Sequence, residues 1–367
     1  MSKIEELLKQ DPFALSFVNR DVLFLDAMKE AFLHHMANNP QFKNLCDNQN
    51  FSDVSAVTSI TQLPYLPVKL FKKKELHSVP KEKIKVTLHS SATSGVPSVI
   101  GIDEITSRRQ ALVSMKIMSS YLGSHRRPFF VLDENPLKAK SAEISARSAA
   151  ARGFLMFAND IDYFITASED TLTLDIEKFE KKLAAFDGKE ICIFGFTFIL
   201  YKCLVEVMKK QGKKFHLHED SKIVHIGGWK KLEDSKVDKE TFLQDIAETF
   251  GMRRENIIDF YGFTEQMGLV YASCGAQSKT TSLFSEVIIR DFQTLQPLED
   301  GREGLIQIVT PIPNSYPGIS VLTEDVGRVL SREQDADGRW GTQFEVIGRA
   351  KKAEVRGCGD VMAESVA

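Results

Sequence analysis

The chain has 367 residues, 43% of them hydrophobic, which is enough for a large buried core and for two lobes, since single cores stop growing near ~250–300 residues. Its 47 basic and 50 acidic residues give a formal net charge of -3, so there is no electrostatic case for nucleic acid binding. No stretch approaches the ~18–20 apolar residues of a spanning helix. The charged start, MSKIEELLKQDPF, is unlike a signal peptide. We therefore expect a cytoplasmic protein without a membrane span.

The first ~75 residues have helical periodicity and no strand signal, which predicts a helical N-terminal subdomain over residues 1–80. Its apolar residues recur at intervals of three and four: Leu15, Val18, Val22, Leu25 and Met28. The subdomain ends in LPYLPVKLFKKKEL, where Pro64 and Pro67 prevent a continuous helix. We interpret the basic run at 72–74 as a solvated face.

From Ile84 onward, short apolar runs alternate with helical stretches such as SAEISARSAAARGF. The predicted strands lie in KVTLHSS, PFFVLD, EICIFGFTFIL, KIVHIGGW, NIIDFYGFTE, FSEVIIRD and GLIQIVTP. This alternation predicts an α/β sheet covered on both faces, with ligands at the strand ends. We expect an α/β nucleotide-binding core at 81–284, a smaller β-rich subdomain at 285–347, and a hinge remnant with a C-terminal tail at 348–367.

A loop of small hydroxyl residues follows the first core strand, in LHSSATSGVPS. Its members are Ser90, Ser91, Thr93 and Ser94, followed by Gly95. Hydroxyls and exposed backbone N–H groups suit a polyphosphate, and glycine allows the backbone to approach it closely. The GxxxxGK[ST] spacing of a Walker loop is missing. From these residues alone, a flexible serine-rich turn is an equally good interpretation.

Two further segments place polar or bare backbone groups directly after a predicted strand. Gly227 and Gly228 in HIGGW would let a flat ring lie against the backbone. In DFYGFTEQMG, Tyr261 and Thr264 offer a stacking face and a phosphate contact, and Glu265 offers a magnesium ligand. Gly228 has an ordinary alternative as a turn residue.

Two charged residues come later in the chain. Asp325 in VLTEDVG could accept hydrogen bonds from both hydroxyls of a ribose, or it could cap a loop. Arg349 follows Gly348 in IGRAKKAEVRG and could equally form a surface ion pair.

The order of these motifs, from the TSG-type loop through the paired glycines, YGFTE and the acidic residue before glycine to GR, resembles the acyl-adenylate-forming superfamily. The resemblance spans roughly Val86 to Gly357. Within it, YGFTEQMG followed by LVYASCG is most similar to the phenylacetate-ligase branch and to the LuxE-type acyl-protein synthetases. The short chain and the early LPYLPVKLFK segment favour LuxE.

The resemblance implies a fold and a set of roles. It implies an adenylate-forming α/β domain that uses ATP and Mg²⁺. The implied nucleotide-binding residues are Thr93, Ser94 and Gly95 around the β- and γ-phosphates, Gly227 and Gly228 beside adenine or substrate, Tyr261 near adenine, Thr264 at the α-phosphate, Asp325 at the ribose, and Arg349 at ribose or phosphate near the hinge, together with Ser91 and Gly262. Glu265 would hold Mg²⁺.

The sequence also departs from the superfamily pattern. Ala92 stands where the loop usually has glycine, and Ser98 stands where it usually has lysine. Lys351 replaces an acidic hinge residue, and the chain stops at Ala367, ten residues past Gly357. We therefore expect the mobile C-terminal domain, with its adenylation lysine, to be truncated. Another cation, among Lys351, Lys352 and Arg356, would replace that lysine, or activity would be slow or lost.

Cys358, in VRGCGD, lies between two glycines and near Arg356, a cation that favours the thiolate. In LuxE-type enzymes a cysteine near the C-terminus accepts the acyl group as a thioester, so the resemblance implies this role for Cys358. The alternative is an incidental cysteine in a frayed tail. Cys192 and Cys203 sit among apolar residues and are interpreted as structural, whereas Cys274 is ambiguous.

The implied activity is ATP-dependent activation of a carboxylic acid, by family expectation a fatty acid, followed by transfer to a cysteine thiol. An acyl reductase and an acyl-transferase are the implied partners. Two alternatives remain. One is a ligase of the same fold that transfers the acyl group to coenzyme A or a carrier protein, and the other is a nucleotide-binding protein without turnover.

Overall fold

The structure is a computed structural model that describes residues 2–90, 97–135, 151, 153–168, 171–229 and 237–350. The loop residues Ser91, Thr93, Ser94 and Gly95, the terminal Cys358 and most of the predicted helix SAEISARSAAARGF lie outside these ranges. No helix among the residues within them is both long and apolar enough to cross a membrane.

The N-terminal region is helical, as predicted, with α1 at Lys3–Lys9, α2 at Phe17–Asn38 and α3 at Pro40–Asn48. The α3 helix begins where Asn39 accepts a hydrogen bond from the Phe42 amide and Pro40 occupies the first turn. The buried face of α2 includes Phe24, Met28 and Phe32. Two of its periodic residues, Val18 and Val22, are 83% and 67% exposed, so periodicity predicted the helix but not its buried face.

The segment after these helices contains a strand that the sequence did not indicate. Leu66–Pro67 forms β1, which pairs in parallel with Val321 and Leu322, and the short helix α4 follows at Leu70–Lys73. Of the two prolines that interrupt the helical pattern, Pro67 therefore lies in a short edge strand, where a missing N–H is tolerated.

The hydroxyl loop lies between two paired strands, β2 at Ile84–His89 and β3 at Val99–Asp103. Ser98 closes its base, because the Ser98 amide donates to Ser90 Oγ at 2.7 Å and the Ser90 amide donates to the Ser98 carbonyl at 3.1 Å. Helix α5, Glu104–Leu122, follows β3 directly and is capped by Asp103, which accepts from the Thr106 amide.

A large mixed sheet forms the core. Besides β1, its strands are β4 at Arg127–Leu132, β5 at Ala158–Tyr163, β8 at Cys192–Phe196, β9 at Lys222–Ile226, β10 at Ile257–Tyr261, β11 at Tyr271–Cys274, β12 at Lys279–Thr280, β13 at Glu286–Arg290, β14 at Gly304–Val309, β15 at Ser320–Ser331 and β16 at Gln343–Arg349. A separate hairpin joins β6, Ile165–Ser168, to β7, Thr171–Leu174.

The sheet order is β13-β14-β15-β16-β12-β11-β10-β9-β8-β4-β5. Strands β5, β4, β8, β9 and β10 are parallel, whereas β11 to β16 pair antiparallel. The remaining helices are α6 at Ile176–Ala185, α7 at Thr197–Ile199, α8 at Glu206–Lys210 and α9 at Lys239–Phe250. A π-helical turn, Leu200–Val205, joins α7 to α8.

Helices cover both faces of the parallel strands, as the alternating pattern predicted. On one face, the ring of Phe260 in β10 packs against Tyr121 of α5. On the other, the ring of His225 in β9 packs against Phe242 of α9. Side chains alternate along a strand, so both layers are needed to bury it.

The N-terminal helices are joined to the sheet by a buried ion pair. Arg20 of α2 contacts Glu286 at the start of β13, and both side chains are at most 3% exposed. Arg20 Nη2 also donates to the Ser285 carbonyl oxygen at 3.2 Å. Its guanidinium lies 4.9 Å from the centre of the Phe17 ring. The Arg20–Glu286 pair joins residues 266 positions apart in the chain.

Candidate nucleotide-binding site

The glycine pair and the YGFTE segment come together at one edge of the sheet. Strands β9 and β10 are parallel neighbours, with Ile226 opposite Phe260, so Gly227 and Tyr261 follow side by side. Gly227 has φ +78°, a conformation that favours glycine, and a Cβ built on Gly228 would meet nothing within 4 Å. The carboxyl ends of parallel strands are where α/β sheets bind ligands.

Two buried side chains, Thr197 and His225, hold the glycine turn in place. Thr197 Oγ1 donates to the Gly227 carbonyl oxygen and lies 2.9 Å from His225 Nδ1. Because the hydroxyl has a single proton, Nδ1 must donate to it, which selects one neutral histidine tautomer. Burial lowers the pKa of His225 to about 4. These contacts are those of a buried histidine whose Nδ1 has a hydrogen-bond partner.

Tyr261, Asp325 and Arg349 form a connected set. Tyr261 Oη donates to Asp325 Oδ2 at 2.6 Å, and Arg349 Nε lies 3.6 Å from Asp325 Oδ1. Asp325 and Arg349 are direct partners across β15 and β16. The Arg349 side chain is 66% exposed, whereas the Asp325 side chain is 20% exposed. The set therefore presents one carboxylate, oriented by the hydrogen bond from Tyr261 and by the nearby charge of Arg349.

Burial dominates the ionisation of this set. It raises the pKa of Asp325 above its ordinary value, while the Tyr261 hydroxyl and Arg349 act in the opposite direction. The pKa of Tyr261 is raised well above its ordinary value, first by burial and then by the Asp325 charge. Tyr261 is therefore a donor at neutral pH, and a donor at this position stabilises the ionised carboxylate.

Thr264, Glu265 and Gln266 form a short 3₁₀ turn shortly after β10, and all three side chains are buried. Gly262 allows this turn, because a Cβ there would lie 3.0 Å from the Leu269 carbonyl oxygen. Gln266 holds the turn in place by donating to the carbonyl oxygens of Ile308 and Gly318, at 3.1 and 2.9 Å.

Glu265 is joined to the base of the hydroxyl loop. Ser98 Oγ donates to Glu265 Oε1 at 2.5 Å, and Ser98 is fully buried. Burial raises the pKa of Glu265, and the Ser98 hydrogen bond, Lys72 and Arg349 each partly offset that effect. Ser98 at the end of the hydroxyl loop, the Thr264–Gln266 turn, and Asp325 with its partners Tyr261 and Arg349 therefore lie in one part of the structure.

The basic run at 72–74, interpreted from the sequence as a solvated face, is partly covered by neighbouring residues. Lys73 is exposed, but Lys72 and Lys74 are only half-exposed. The physical reason is the pairing of β1 with β15, which seats α4 against the sheet. The local charge of the run gave no sign of this long-range pairing.

Two side chains at the site were not among the predicted site residues. Ser98 drew notice only as a departure from the lysine usual at its position, yet its hydroxyl contacts Glu265. Thr197 carried no signal at all, because its role depends on the packing of α7 below the glycine turn. Among the residues that the structure describes, no group of three or more His, Cys, Asp or Glu side chains is arranged to hold a metal ion.

The comparisons with known proteins agree on the family. The model of the family described as "Acyl-protein synthetase, LuxE" matches residues 1–367. The chain is 27% identical over 348 residues to a long-chain-fatty-acid–luciferin-component ligase of Vibrio harveyi, covering 92% of this chain and 86% of the relative. It is 26% identical over 369 residues to the protein of the same name from Aliivibrio fischeri, covering 100% and 94%.

Solved structures share the fold. A 2-hydroxyisobutyryl-CoA ligase, crystallised with 2-HIB-AMP and CoA in its thioesterification state, matches with a TM-score of 0.68 at 14% identity, over 93% of this chain and 70% of that one. At this identity the likeness concerns the fold alone, and it confirms the expected adenylate-forming ligase fold. The family match over residues 1–367 shows that the chain belongs to the LuxE acyl-protein synthetase family.

Proposed function

We propose that the protein activates a fatty acid with ATP as an acyl-adenylate and then transfers the acyl group to a cysteine thiol, giving an acyl-protein thioester. The proposal rests on one observation in a chain of the LuxE family. Tyr261, Asp325 and Arg349 lie near the Glu265–Ser98 pair at the ends of the core strands. The relatives from Vibrio harveyi and Aliivibrio fischeri are named ligases of a long-chain fatty acid.

In the first step a carboxylate oxygen of the fatty acid attacks the α-phosphorus of ATP. The bond from that phosphorus to the bridging oxygen breaks, and pyrophosphate leaves. Asp325 would accept hydrogen bonds from the ribose hydroxyls, Tyr261 and the glycine pair would hold the adenine, and Thr264 would contact the α-phosphate. Fixed donors near the phosphates stabilise the developing charge without rearranging during the reaction.

Glu265 fits a role as the protein ligand of Mg²⁺. Magnesium is usually bound by one or two carboxylates together with substrate phosphates, and Glu265 is a buried carboxylate close to the base of the hydroxyl loop. The ion would neutralise phosphate charge when bound. The roles of Ser91, Thr93, Ser94 and Gly95 as phosphate-binding residues belong to the same proposal.

In the second step the thiolate of Cys358 attacks the carbonyl carbon of the acyl-adenylate, the bond to the phosphate oxygen breaks, and AMP leaves. The described cysteines are poor candidates for this nucleophile. Burial raises the pKa of Cys46 and Cys192 to about 12 and that of Cys274 to about 11, and it also raises the pKa of Cys203. Thiol attack requires the thiolate, so a raised pKa slows it.

An acyl reductase and an acyl-transferase are the proposed partners, since a protein-bound thioester is useful only to an enzyme that consumes it. We place the reaction in the cytoplasm, where ATP and reduced thiols are both available.

Intact-mass analysis tests the proposal. The purified full chain is incubated with ATP, Mg²⁺ and a panel of saturated fatty acids. We expect a mass gain equal to one acyl group, which hydroxylamine removes and which needs both ATP and the acid. Cys358→Ala should abolish the gain, while the matched control Cys203→Ala should retain it.

Two results would overturn parts of the proposal. An unchanged mass gain in Cys358→Ala would exclude this thiol as the acceptor. Failure of the native chain to exchange labelled pyrophosphate into ATP with any acid in the panel would exclude the activation step itself.

A further inference from the structure

The glycine pair is the part of the candidate site whose own residues specify its conformation least. Glycine adopts positive and negative φ about equally readily, and Gly227 has φ +78°. Two adjacent glycines also lose more backbone entropy on ordering than other residues do. A contact from outside the turn must therefore select the conformation that a ligand meets.

Thr197 supplies this contact. Strands β8 and β9 are parallel neighbours with Phe196 opposite Ile226, so Thr197 and Gly227 leave the sheet side by side. The Thr197 side chain is buried, and its Oγ1 donates to the Gly227 carbonyl oxygen. A hydrogen bond to this carbonyl fixes the orientation of the peptide group that joins Gly227 to Gly228.

His225 sets the direction of the Thr197 hydroxyl. His225 Nδ1 lies 2.9 Å from Thr197 Oγ1 but 3.6 Å from Asp259 Oδ1, which is too long for a hydrogen bond. Nδ1 therefore donates its proton to the hydroxyl oxygen. The single hydroxyl proton is then directed at the Gly227 carbonyl oxygen.

Lys279 keeps Asp259 from competing for the histidine proton. The buried Lys279 ammonium donates to Asp259 Oδ2 at 2.7 Å and to the Asp259 carbonyl oxygen at 3.1 Å. Asp259 thus has a charged partner of its own on the side away from His225. Four side chains from neighbouring elements therefore act in sequence on one carbonyl group: Lys279, Asp259, His225 and Thr197.

We infer that Thr197 is a positioning residue of the nucleotide site, whose hydroxyl holds the Gly227–Gly228 peptide where the backbone contacts the adenine ring. The inference rests on the proposed function, in which the glycine pair holds adenine. Dispersion contacts weaken steeply with distance, and a gap of roughly 0.5–1 Å forfeits a quarter to a half of the contact energy. Loss of this hydrogen bond therefore weakens binding of the nucleotide and leaves the chemical step largely unchanged.

Steady-state kinetics of pyrophosphate exchange by the full chain test the inference, with ATP and the fatty acid varied in turn. Thr197→Val replaces the hydroxyl with a methyl group of similar shape, and Thr197→Ala is a second variant without the hydroxyl. Each should raise the KM for ATP about tenfold, while kcat and the KM for the fatty acid change by less than about threefold. Thr197→Ser keeps the hydroxyl and should restore the KM for ATP.

Ser221 provides a matched control at the opposite end of the same two strands. Its Oγ accepts a hydrogen bond from the Ile191 amide at 3.1 Å, and the whole of β9 separates it from Gly227. Ser221→Ala should lower the melting temperature without raising the KM for ATP. All variants are assayed below their own melting transitions, so that a loss of folded protein does not change the kinetics.

Three results would overturn the inference. The first is a native KM for ATP in the Thr197 variants that lack the hydroxyl. The second is a Thr197→Ser variant as defective as Thr197→Ala. The third is the same rise in Ser221→Ala, which would indicate a general effect of lost stability. Absence of exchange in the native chain would instead refute the proposed function, and the inference with it.

Discussion

The hydroxyl of Tyr261 donates a 2.6 Å hydrogen bond to Asp325 Oδ2, across 64 positions of sequence. The bond joins the end of a parallel core strand to the antiparallel part of the sheet. It also orients the Asp325 carboxylate, which is the proposed ribose-binding group. The same contact therefore contributes both to local stability and to the geometry of the site.

Replacing Tyr261 with Phe removes this donor and leaves the ring. Asp325 is then left with Arg349 at 3.6 Å, so its pKa should rise further. We expect the free energy of unfolding to fall by about 1–3 kcal/mol, measured in urea. Asp325→Asn combined with Tyr261→Phe should cost less than the sum of the single changes, because the two residues share one interaction. Fully additive costs would contradict this coupling.

Replacing Glu265 with Gln should raise stability at neutral pH and lower activity. Because burial raises the pKa of Glu265, the folded chain binds this proton more tightly than the unfolded chain does. The native protein therefore loses stability as pH rises through the folded pKa, and glutamine, which carries no charge and can still accept from Ser98, should raise the melting temperature at neutral pH. The advantage should shrink as pH falls toward the ordinary carboxyl value of 4.5.

The same variant should lower fatty-acid-dependent pyrophosphate exchange by roughly a hundredfold or more, because it removes the proposed ligand of Mg²⁺. Thermal melting across a pH series and the exchange assay are the two measurements. A variant that melts lower than the native chain at neutral pH would contradict the stability argument.

Two buried histidines should make the fold sensitive to acid. Burial lowers the pKa of His225 to about 4 and that of His35 to about 3, from an ordinary value of 6.5. A lowered pKa contributes stability that is complete above the ordinary value and is lost as pH falls through the folded one. Each histidine should contribute on the order of 3 kcal/mol to the loss.

Urea unfolding at a series of pH values from about 6.5 down to about 4 measures this loss. His225→Asn should start less stable, because its partner Thr197 is disturbed, but should lose less stability over the same interval. A loss as steep as in the native chain would show that His225 is not the titrating group.

The buried pair of Arg20 and Glu286 should matter more when it is broken than when it is replaced. Arg20→Met leaves a buried carboxylate without its main partner, and we expect a loss of about 3–5 kcal/mol. Arg20→Met combined with Glu286→Leu should recover most of that loss, because no buried charge remains. Equal stability of the single and double variants, measured in urea, would contradict this account.

Much of the architecture could be predicted from local patterns. The strands β8, β9, β10, β13 and β14 lie within the runs identified in the sequence, and the glycine and YGFTE segments lie at the ends of their strands as expected. Such patterns are local, because strand burial and turn chemistry repeat over a few residues. The order of the motifs also indicated the adenylate-forming fold and the LuxE family correctly.

The tertiary structure alone decided which of these local features meet. The bond between Ser98 and Glu265, the partnership of Asp325 with Arg349 and the seat of α4 on β15 all join residues that no short pattern relates. The half-burial of Lys72 could not be predicted from charge alone, because exposure depends on what packs beside a helix. The sequence by itself determined the chemical groups and the strands that carry them, while long-range strand pairing and burial determined their neighbours and their ionisation.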